Sequence, residues 1–414
     1  MKQFFQNIFF RIKEQFTGFT FTCPYCFEQS DESSIKFRCG QLSHICEWVE
    51  DDLYNKNNSR YNPNTNNIVL GKVIDTSKSY KRNQEAVCSS CNEKTFIRIC
   101  PHCHFEIPIS LLKSRNKIIA LIGSKDSGKS HYLPALIEQV DNNVSKLKLL
   151  PTFKQDSDKY YNESFRIPLY ENNEILNATI SANADEVVRK PLIFDFTKFL
   201  NRHQTDKERH KNSITFIFFD AAGEDLTSEE NLRRTNPYLK MADGIILLID
   251  PLQISSIRSK LIDKGLDESL LPDKKDRPSL LLTRIVNNFE NQNRNTNIPL
   301  AITLSKCDMI KDLLGKNSNL YQHYTTSPDV TIESINSLSN EIKELIFKRD
   351  NQDGLNKLVR EASTIFKDHA FFAVSALGHN PEDGRLLHKP RPVMVENPLL
   401  WTLSKMWSYK IDSK

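Results

Sequence analysis

The sequence predicts an α/β fold: a doubly wound, mostly parallel sheet with a small cysteine-rich domain in front of it. Three observations carry this. After Lys117, five short apolar runs alternate with longer helical patterns. Between the first run and the first helix stands a string rich in Gly, Ser and Lys, Gly123–Ser130. Eight of the nine cysteines fall between Cys23 and Cys103, mostly as C-x-x-C pairs.

The five runs are KIIALIG (117–123), ITFIFFDAAG (214–223), DGIILLID (243–250), PLAITLSKCD (299–308) and HAFFAVSALG (369–378). Each is continuously apolar, as for strands covered on both faces. Helices are expected over 129–141, 228–241, 277–291, 333–348 and 355–367, and this alternation gives a parallel sheet. PLIFDFTKF (191–199) reads as an antiparallel edge partner. Residues 1–20 read as one amphipathic helix, because Phe4, Phe5, Ile8, Phe9, Ile12 and Phe16 recur at three- and four-residue spacing. It can rest on an anionic membrane surface, or dock on protein. The expected organisation is therefore a helix over 1–20, a cysteine region over 21–110 and a nucleotide-binding domain over 111–414, with insertions at 142–213 and 309–368.

A chain of 414 residues with net charge +4 neither requires nor excludes a nucleic-acid partner. It has no run of eighteen apolar residues and no convincing signal peptide, so a cytosolic protein is expected, with peripheral membrane contact through residues 1–20 open. Clustered cysteines beside a nucleotide motif favour metal in a reducing compartment over disulfides.

Gly123-Ser124-Lys125-Asp126-Ser127-Gly128-Lys129-Ser130 fits G-x-x-x-x-G-K-[ST] in a strand–loop–helix frame. The glycines let the backbone approach phosphates, and the amides from about Asp126 to Ser130 form an anion nest. Lys129 reaches the β- and γ-phosphates and the Ser130 hydroxyl binds Mg²⁺. Asp220-Ala221-Ala222-Gly223 supplies a carboxylate for Mg²⁺ through water and a glycine amide for the γ-phosphate. Ser305-Lys306-Cys307-Asp308 supplies a carboxylate that accepts two hydrogen bonds from guanine N1 and N2, a donor pair adenine lacks. The Lys306 stem covers the base. A backbone amide in Ser375-Ala376-Leu377 meets the guanine O6. Each element ends a predicted strand, where open α/β sheets bind ligands.

The ordered set GSKDSGKS, DAAG, SKCD and SAL resembles the Ras-like, translation-factor-related class of P-loop GTPases. PRPVMVENPLLWTL (390–403) and the cysteine-rich front resemble the bacterial double-GTPase group of conflict systems. The resemblance implies GTP/GDP and Mg²⁺ as ligands, GTP hydrolysis, and a protein partner: a second GTPase, an effector or a second copy. It also implies a bacterial defence setting. Ser305 departs from the Asn or Thr usual in the class, and Glu224 stands where Gln usually orients the attacking water. Slow intrinsic hydrolysis completed by a partner is therefore expected. Asp126 either holds a monovalent cation or caps the turn. Thr152 and Thr179 are candidates for the first-switch threonine.

Cys88, Cys91, Cys100 and Cys103 form a compact set for structural Zn²⁺. Cys23 and Cys26 with Cys39 and either Cys46 or His44 make a second. A crossed arrangement, with Cys23 and Cys26 joining another pair, stays open. Lys36, Phe37, Arg38, Lys94, Phe96 and Arg98 offer a nucleic-acid grip, though a protein-binding ribbon is the stronger expectation. His102 and His104 are expected to face solvent. The reading that absorbs most of these features is a GTP-binding switch with a zinc-ribbon front. An ATP-driven remodelling enzyme, a zinc-dependent nucleic-acid binder and a scaffold without turnover are the rivals.

Overall fold

The computed structural model describes residues 20–59, 67–75, 85–109, 111, 117–124, 126–153, 157–176, 191–198, 213–218, 239, 241–266, 271, 278–290, 297–326, 330–347, 355–381 and 385–407. The expected helices over 1–20 and 228–241 fall largely outside these residues. The chain divides into two units, the first centred on residues 1–116 and the second drawn mostly from Lys117 onward.

The first unit is built of short strands: β1 (Thr20–Thr22), β2 (Gln29–Asp31), β3 (Lys36–Arg38), β4 (Trp48–Glu50), β5 (Val69–Gly71), β6 (Val73–Ile74), β7 (Ala86–Val87), β8 (Lys94–Thr95) and β9 (Ile97–Ile99). One helix, α1 (Asp52–Asn58), is capped by the Asp51 carboxylate on the Tyr54 amide. The central sheet has order β6-β3-β9. Such brief elements bury little apolar surface, so other forces must hold the unit. One is an ion-pair cluster. Asp51 receives Arg38 Nη2 at 2.6 Å, and His104 Nδ1 lies 2.8 and 2.9 Å from its two oxygens. Burial raises the Asp51 carboxyl, but hydrogen bonds from His104, the Tyr54 amide and Arg38 outweigh it and hold it well below the usual carboxylate range. Asp51→Asn leaves Arg38 short of its anion. The expected loss is ~3 kcal/mol of stability in denaturant unfolding of the whole chain, with metal content unchanged.

This cluster corrects two expectations. His104 is buried and paired rather than solvent-facing. Arg38, Arg98 and Phe37 belong to the interior, with the Arg98 guanidinium 5.6 Å over the Phe37 ring. These three are not offered at the surface, because their apolar stems and rings fill the small core, whereas Phe96 is exposed and Lys36 half-buried. Lys94 is exposed but paired with Glu85 at 2.9 Å.

In the second unit four strands form the parallel sheet in the order β10-β14-β15-β16: β10 (Ile119–Gly123), β14 (Gly244–Ile249), β15 (Leu300–Leu304) and β16 (His369–Ala373). Leu121 lies beside Ile246, Leu247 beside Ile302, and Ile302 beside Phe371. Nearly every residue in these strands is buried, which is why they read as unbroken apolar runs. A second sheet has order β11-β12-β13, with β11 (Leu149–Phe153), β12 (Leu192–Lys198) and β13 (Ser213–Phe218). Two expectations change here. β12 is the middle strand, not an edge. β13 joins β12 rather than the four-stranded ladder, and Phe216 stacks on Phe194 at 4.8 Å and meets Phe196 edge-on at 5.8 Å.

The longer α-helices described in this unit are α2 (Lys129–Asn142), α3 (Ser255–Asp263), α4 (Pro278–Glu290), α5 (Asn319–Thr326), α6 (Ile332–Phe347), α7 (Leu355–Ile365) and α8 (Asn397–Trp407). Phe289 of α4 meets Phe366, just past α7, edge-on at 5.3 Å. α6 covers β16, where Ser339 Oγ accepts the Phe371 amide at 2.8 Å. α8 covers β14 and β15 at close range: a Cβ on Gly244 would stand 2.7 Å from Thr402 Cγ2. Among the described residues no helix is long and apolar enough to cross a membrane.

Candidate nucleotide site and cysteine clusters

Parallel strands put their carboxyl ends on one edge. The loops after β10, β14, β15 and β16 therefore open side by side. The loop after β10 is Gly123–Ser130, of which Lys125 lies outside the described residues. A Cβ on Gly123 would stand 2.3 Å from Ser127 Oγ and 2.9 Å from the Leu248 carbonyl, so only glycine fits. Asp126 and Gly128 both take positive φ, 58° and 84°, which curls the backbone into a concave turn before α2. Asp126 itself is exposed. Ser127 is fully buried, and its hydroxyl has no partner among the described residues. The Lys129 ammonium is buried and donates to the carbonyls of Gly123 and Ser124, each at 2.8 Å. Ser130 is half-buried in the first turn of α2.

After β14 comes a tight turn, Asp250–Gln253, which sequence reasoning left without a role. The buried Asp250 accepts the Leu252 amide with one oxygen and Lys306 Nζ at 2.7 Å with the other. Gln253 Oε1 accepts the Ser124 hydroxyl at 2.7 Å. The turn thus joins the phosphate-type loop on one side to Ser305–Asp308 on the other. Asp250 closes the third apolar run, and a carboxylate ending a buried strand was the one available signal. Nothing marked Gln253.

Lys306 takes φ 50°, which turns the chain sharply after β15. Ser305 is buried and donates through its amide and hydroxyl to the Ile249 carbonyl. Asp308 Oδ1 accepts a short hydrogen bond from Ser375 Oγ, and Ser375 Oγ in turn accepts the Gly378 amide at 2.8 Å. The Ser305–Asp308 and Ser375–Leu377 loops are therefore locked together. Ser375 donates its own amide to the Val393 carbonyl at 3.0 Å, so that amide is already taken. The segment 390–403 holds this loop through the Arg391 and Val393 amides, which donate to the Leu377 and Ser375 carbonyls at 2.9 and 2.8 Å, and it is tied to α2 by the Tyr132 hydroxyl donating to the Val395 carbonyl at 2.9 Å.

One further residue stands here unforeseen. His131 follows Ser130, and burial, reinforced by the Lys306 charge, pushes it down to about 4. The neutral ring accepts the Leu176 amide on Nε2 at 3.2 Å. Asp220, Gly223, Glu224 and Thr179 lie outside the described residues. Thr152 is exposed within β11, opposite Asp195.

The cysteines fall into two sets of four. Cys23, Cys26, Cys100 and Cys103 form one, and Cys39, Cys46, Cys88 and Cys91 the other. This corrects the compact Cys88–Cys103 set in favour of the crossed arrangement. The reason is the β3–β9 register. Lys36 lies opposite Ile99 and Arg38 opposite Ile97, so the antiparallel pair carries Cys39 to one end and Cys100 to the other. The extended stretch between Cys91 and Cys100 separates its two knuckles instead of folding them together. His44 is exposed and belongs to neither set.

Three knuckles repeat one hydrogen-bonding pattern. The amides of Phe27, Asn92 and His104 donate back to the carbonyls of Cys23, Cys88 and Cys100, and each donor has φ near 60°. The sulfurs of Cys23 and Cys103 are 3.6 Å apart, Cys26 and Cys100 3.7 Å, Cys39 and Cys91 3.7 Å, Cys46 and Cys88 3.8 Å. A tetrahedron with Zn–S bonds of about 2.3 Å has S–S edges of about 3.8 Å, so both sets fit Zn²⁺. Four thiols per set leave no open position, the donor set of a structural rather than a catalytic metal.

A family profile described as Double-GTPase 2 matches residues 198–365. That stretch of the chain is similar to the double-GTPase family of P-loop proteins. The matched stretch starts after the phosphate-type loop and holds β13, β14, β15 and the Ser305–Asp308 loop, so the double-GTPase likeness and the G-x-x-x-x-G-K-S loop are independent signs of one site. A Mycolicibacterium smegmatis protein, SaeC, named for a proposed part in ESX-1 scaffolding and assembly, is 24% identical over 326 residues, 74% of this chain and 80% of that protein. A solved Arl6 BBS3 small GTPase of Trypanosoma brucei, with a bound nucleotide analogue, aligns over 72% of this chain and all of its own. It is 11% identical with a TM-score of 0.29, too low to carry weight.

Proposed function

We propose that this double-GTPase-class chain is a guanine-nucleotide switch whose hydrolysis is slow until a protein partner completes the site. One observation carries the reading: the turn Asp250–Gln253 ties Ser124 of the phosphate loop to Lys306 of the base loop, while Asp308 is aimed and held by Ser375. In this reading the concave backbone at Asp126–Ser130 and the Lys129 ammonium take the phosphates. Lys306 covers the base, the Asp308 carboxylate accepts the guanine N1 and N2 donors, and a loop amide at Ala376 or Leu377 meets O6. The Ser130 hydroxyl and the Asp220 carboxylate hold Mg²⁺, which neutralises charge developing on the phosphates. The Gly223 amide serves the γ-phosphate. Glu224 accepts from water but offers no donor to the phosphate, which supports a partner-supplied group.

The double-GTPase class and the assembly role in the relative's name support a protein partner, either a second GTPase or a larger complex. A bacterial defence setting rests on the resemblance alone. In this reading the chain is organised as helix 1–20, zinc-bearing region 21–110 and nucleotide domain 111–414. The zinc-bearing front is a protein-facing module, because Phe37, Arg38 and Arg98 are spent on its own core while apolar side chains such as Leu42, Ile45 and Phe96 are exposed.

Competition between GTP and ATP for the whole chain tests the base assignment. GTP wins by on the order of 10²-fold, since adenine lacks the donor pair that the half-buried Asp308 carboxylate accepts, a loss of ~3 kcal/mol. Asp308→Asn removes most of that preference. Equal competition by ATP, or an unchanged preference in the variant, removes the guanine reading.

A further inference from the structure

The cysteine unit exposes far more apolar surface than its size warrants. Seven large apolar side chains are exposed among its described residues, against three in all the rest. Leu42 is 58% exposed, Ile45 51% and Phe96 60%. Leu42 and Ile45 lie in the loop between Cys39 and Cys46. Trp48 pairs with Gly71 and Glu50 with Val69, so Trp48, Glu50 and Val69 share one face of the β4–β5 pair. Trp48 Nε1 donates to the Gln41 carbonyl at 2.8 Å, which seats the Leu42–Ile45 loop beside that face. The face is also acidic. Of the four acids between Gly40 and Asn55, Asp51 is buried against Arg38 and Glu47 pairs with Lys72 at 2.8 Å, which leaves Glu50 and Asp52 to charge the surface. Glu50 and Asp52 are exposed. Contiguous exposed apolar surface with a charged rim marks a docking site.

The sequence supplies the complement. Residues 1–19 carry an apolar stripe, Phe4, Phe5, Ile8, Phe9, Ile12 and Phe16, and are basic through Lys2, Arg11 and Lys13 against the single acid Glu14. The described structure begins at Thr20, on β1 of the same unit. As a helix the stripe from Phe4 to Phe16 runs about 18 Å, the span of a small sheet face. We propose that residues 1–19 dock as an amphipathic helix on the Leu42/Ile45/Trp48/Val69 face of their own chain. Apolar burial drives the contact, and the Lys and Arg residues against Glu50 and Asp52 set its orientation.

The test uses the full chain with Phe9 exchanged for the photocrosslinker p-benzoylphenylalanine. Irradiation is expected to give a product of monomer size, with the crosslink mapped by mass spectrometry to residues 41–53 or 67–71. Ile45→Glu with Val69→Glu lowers the yield by about tenfold, and Glu50→Lys with Asp52→Lys lowers it too. Both pairs are exposed, and unchanged zinc content reports that the unit is intact. Crosslinks elsewhere on the chain, crosslinks only between two copies, or reaction only with added phosphatidylserine vesicles each overturn the proposal. So does a yield that ignores both double variants.

Discussion

Cys23→Ser combined with Cys100→Ser leaves one zinc ion bound per chain, whereas Cys23→Ser combined with Cys88→Ser leaves none. The two double variants remove the same number of thiols and differ only in how the cysteines are shared between sites. Under a sequential pairing the outcomes change: Cys23 and Cys100 would then sit in separate sites, and their loss would strip both ions. Elemental analysis of the purified variants, with thiol counting, decides between them. The energetic effect is expected to be the largest available in this protein. Structural Zn²⁺ contributes ~10 kcal/mol or more to the folding of small domains, and strands of two or three residues cannot make up that loss. Loss of both ions should unfold the unit outright, seen as the collapse of amide protection across β3 and β9. Chelation of the native chain should reproduce it.

Lys129→Ala should lower GTP affinity by on the order of 10²- to 10³-fold, the loss of a buried ammonium from a polyanion. Its effect on the nucleotide-free fold should be smaller, because the ammonium's bonds to the Gly123 and Ser124 carbonyls lie within the loop itself. Thermal unfolding separates the two effects. GTP at 100 times its dissociation constant stabilises the native chain by about 2.7 kcal/mol, and the variant should show almost none of that shift at the same concentration. An unchanged affinity would remove the phosphate-binding role of the loop.

The parallel sheet was legible because its strands are buried on both faces. Continuous runs such as Ile119–Gly123 and Leu300–Leu304 have no solvent side to confuse the pattern. Helices with one apolar stripe, α4, α6 and α7, were legible for the complementary reason. β12 was misplaced because LIFDF gives burial but not neighbours, and the middle and the edge of a sheet share that signature. The cysteine pairing failed on distance along the chain. Spacing favours the nearest knuckles, while the β3–β9 register, a contact between residues some sixty positions apart, assigns them to different metals. His104 and Arg38 were misread for the same reason, since their partner Asp51 is remote from His104 in sequence. In the nucleotide site, residues carried by a motif could be named from their spacing. Asp250, Gln253 and His131 act through side-chain bonds to other loops, and no local pattern encodes those.

The two cysteine sets are nested. The ligands of one, from Cys39 to Cys91, all lie within the interval that the other spans from Cys23 to Cys103. A chain emerging from the ribosome therefore exposes the inner four thiols as a complete set before the last outer one has been synthesised. The inner metal can be captured first, and the outer one then fastens the two ends over it. The first four thiols to emerge, Cys23, Cys26, Cys39 and Cys46, belong two to each set, so order of synthesis alone would mix them and the β3–β9 pairing must do the sorting.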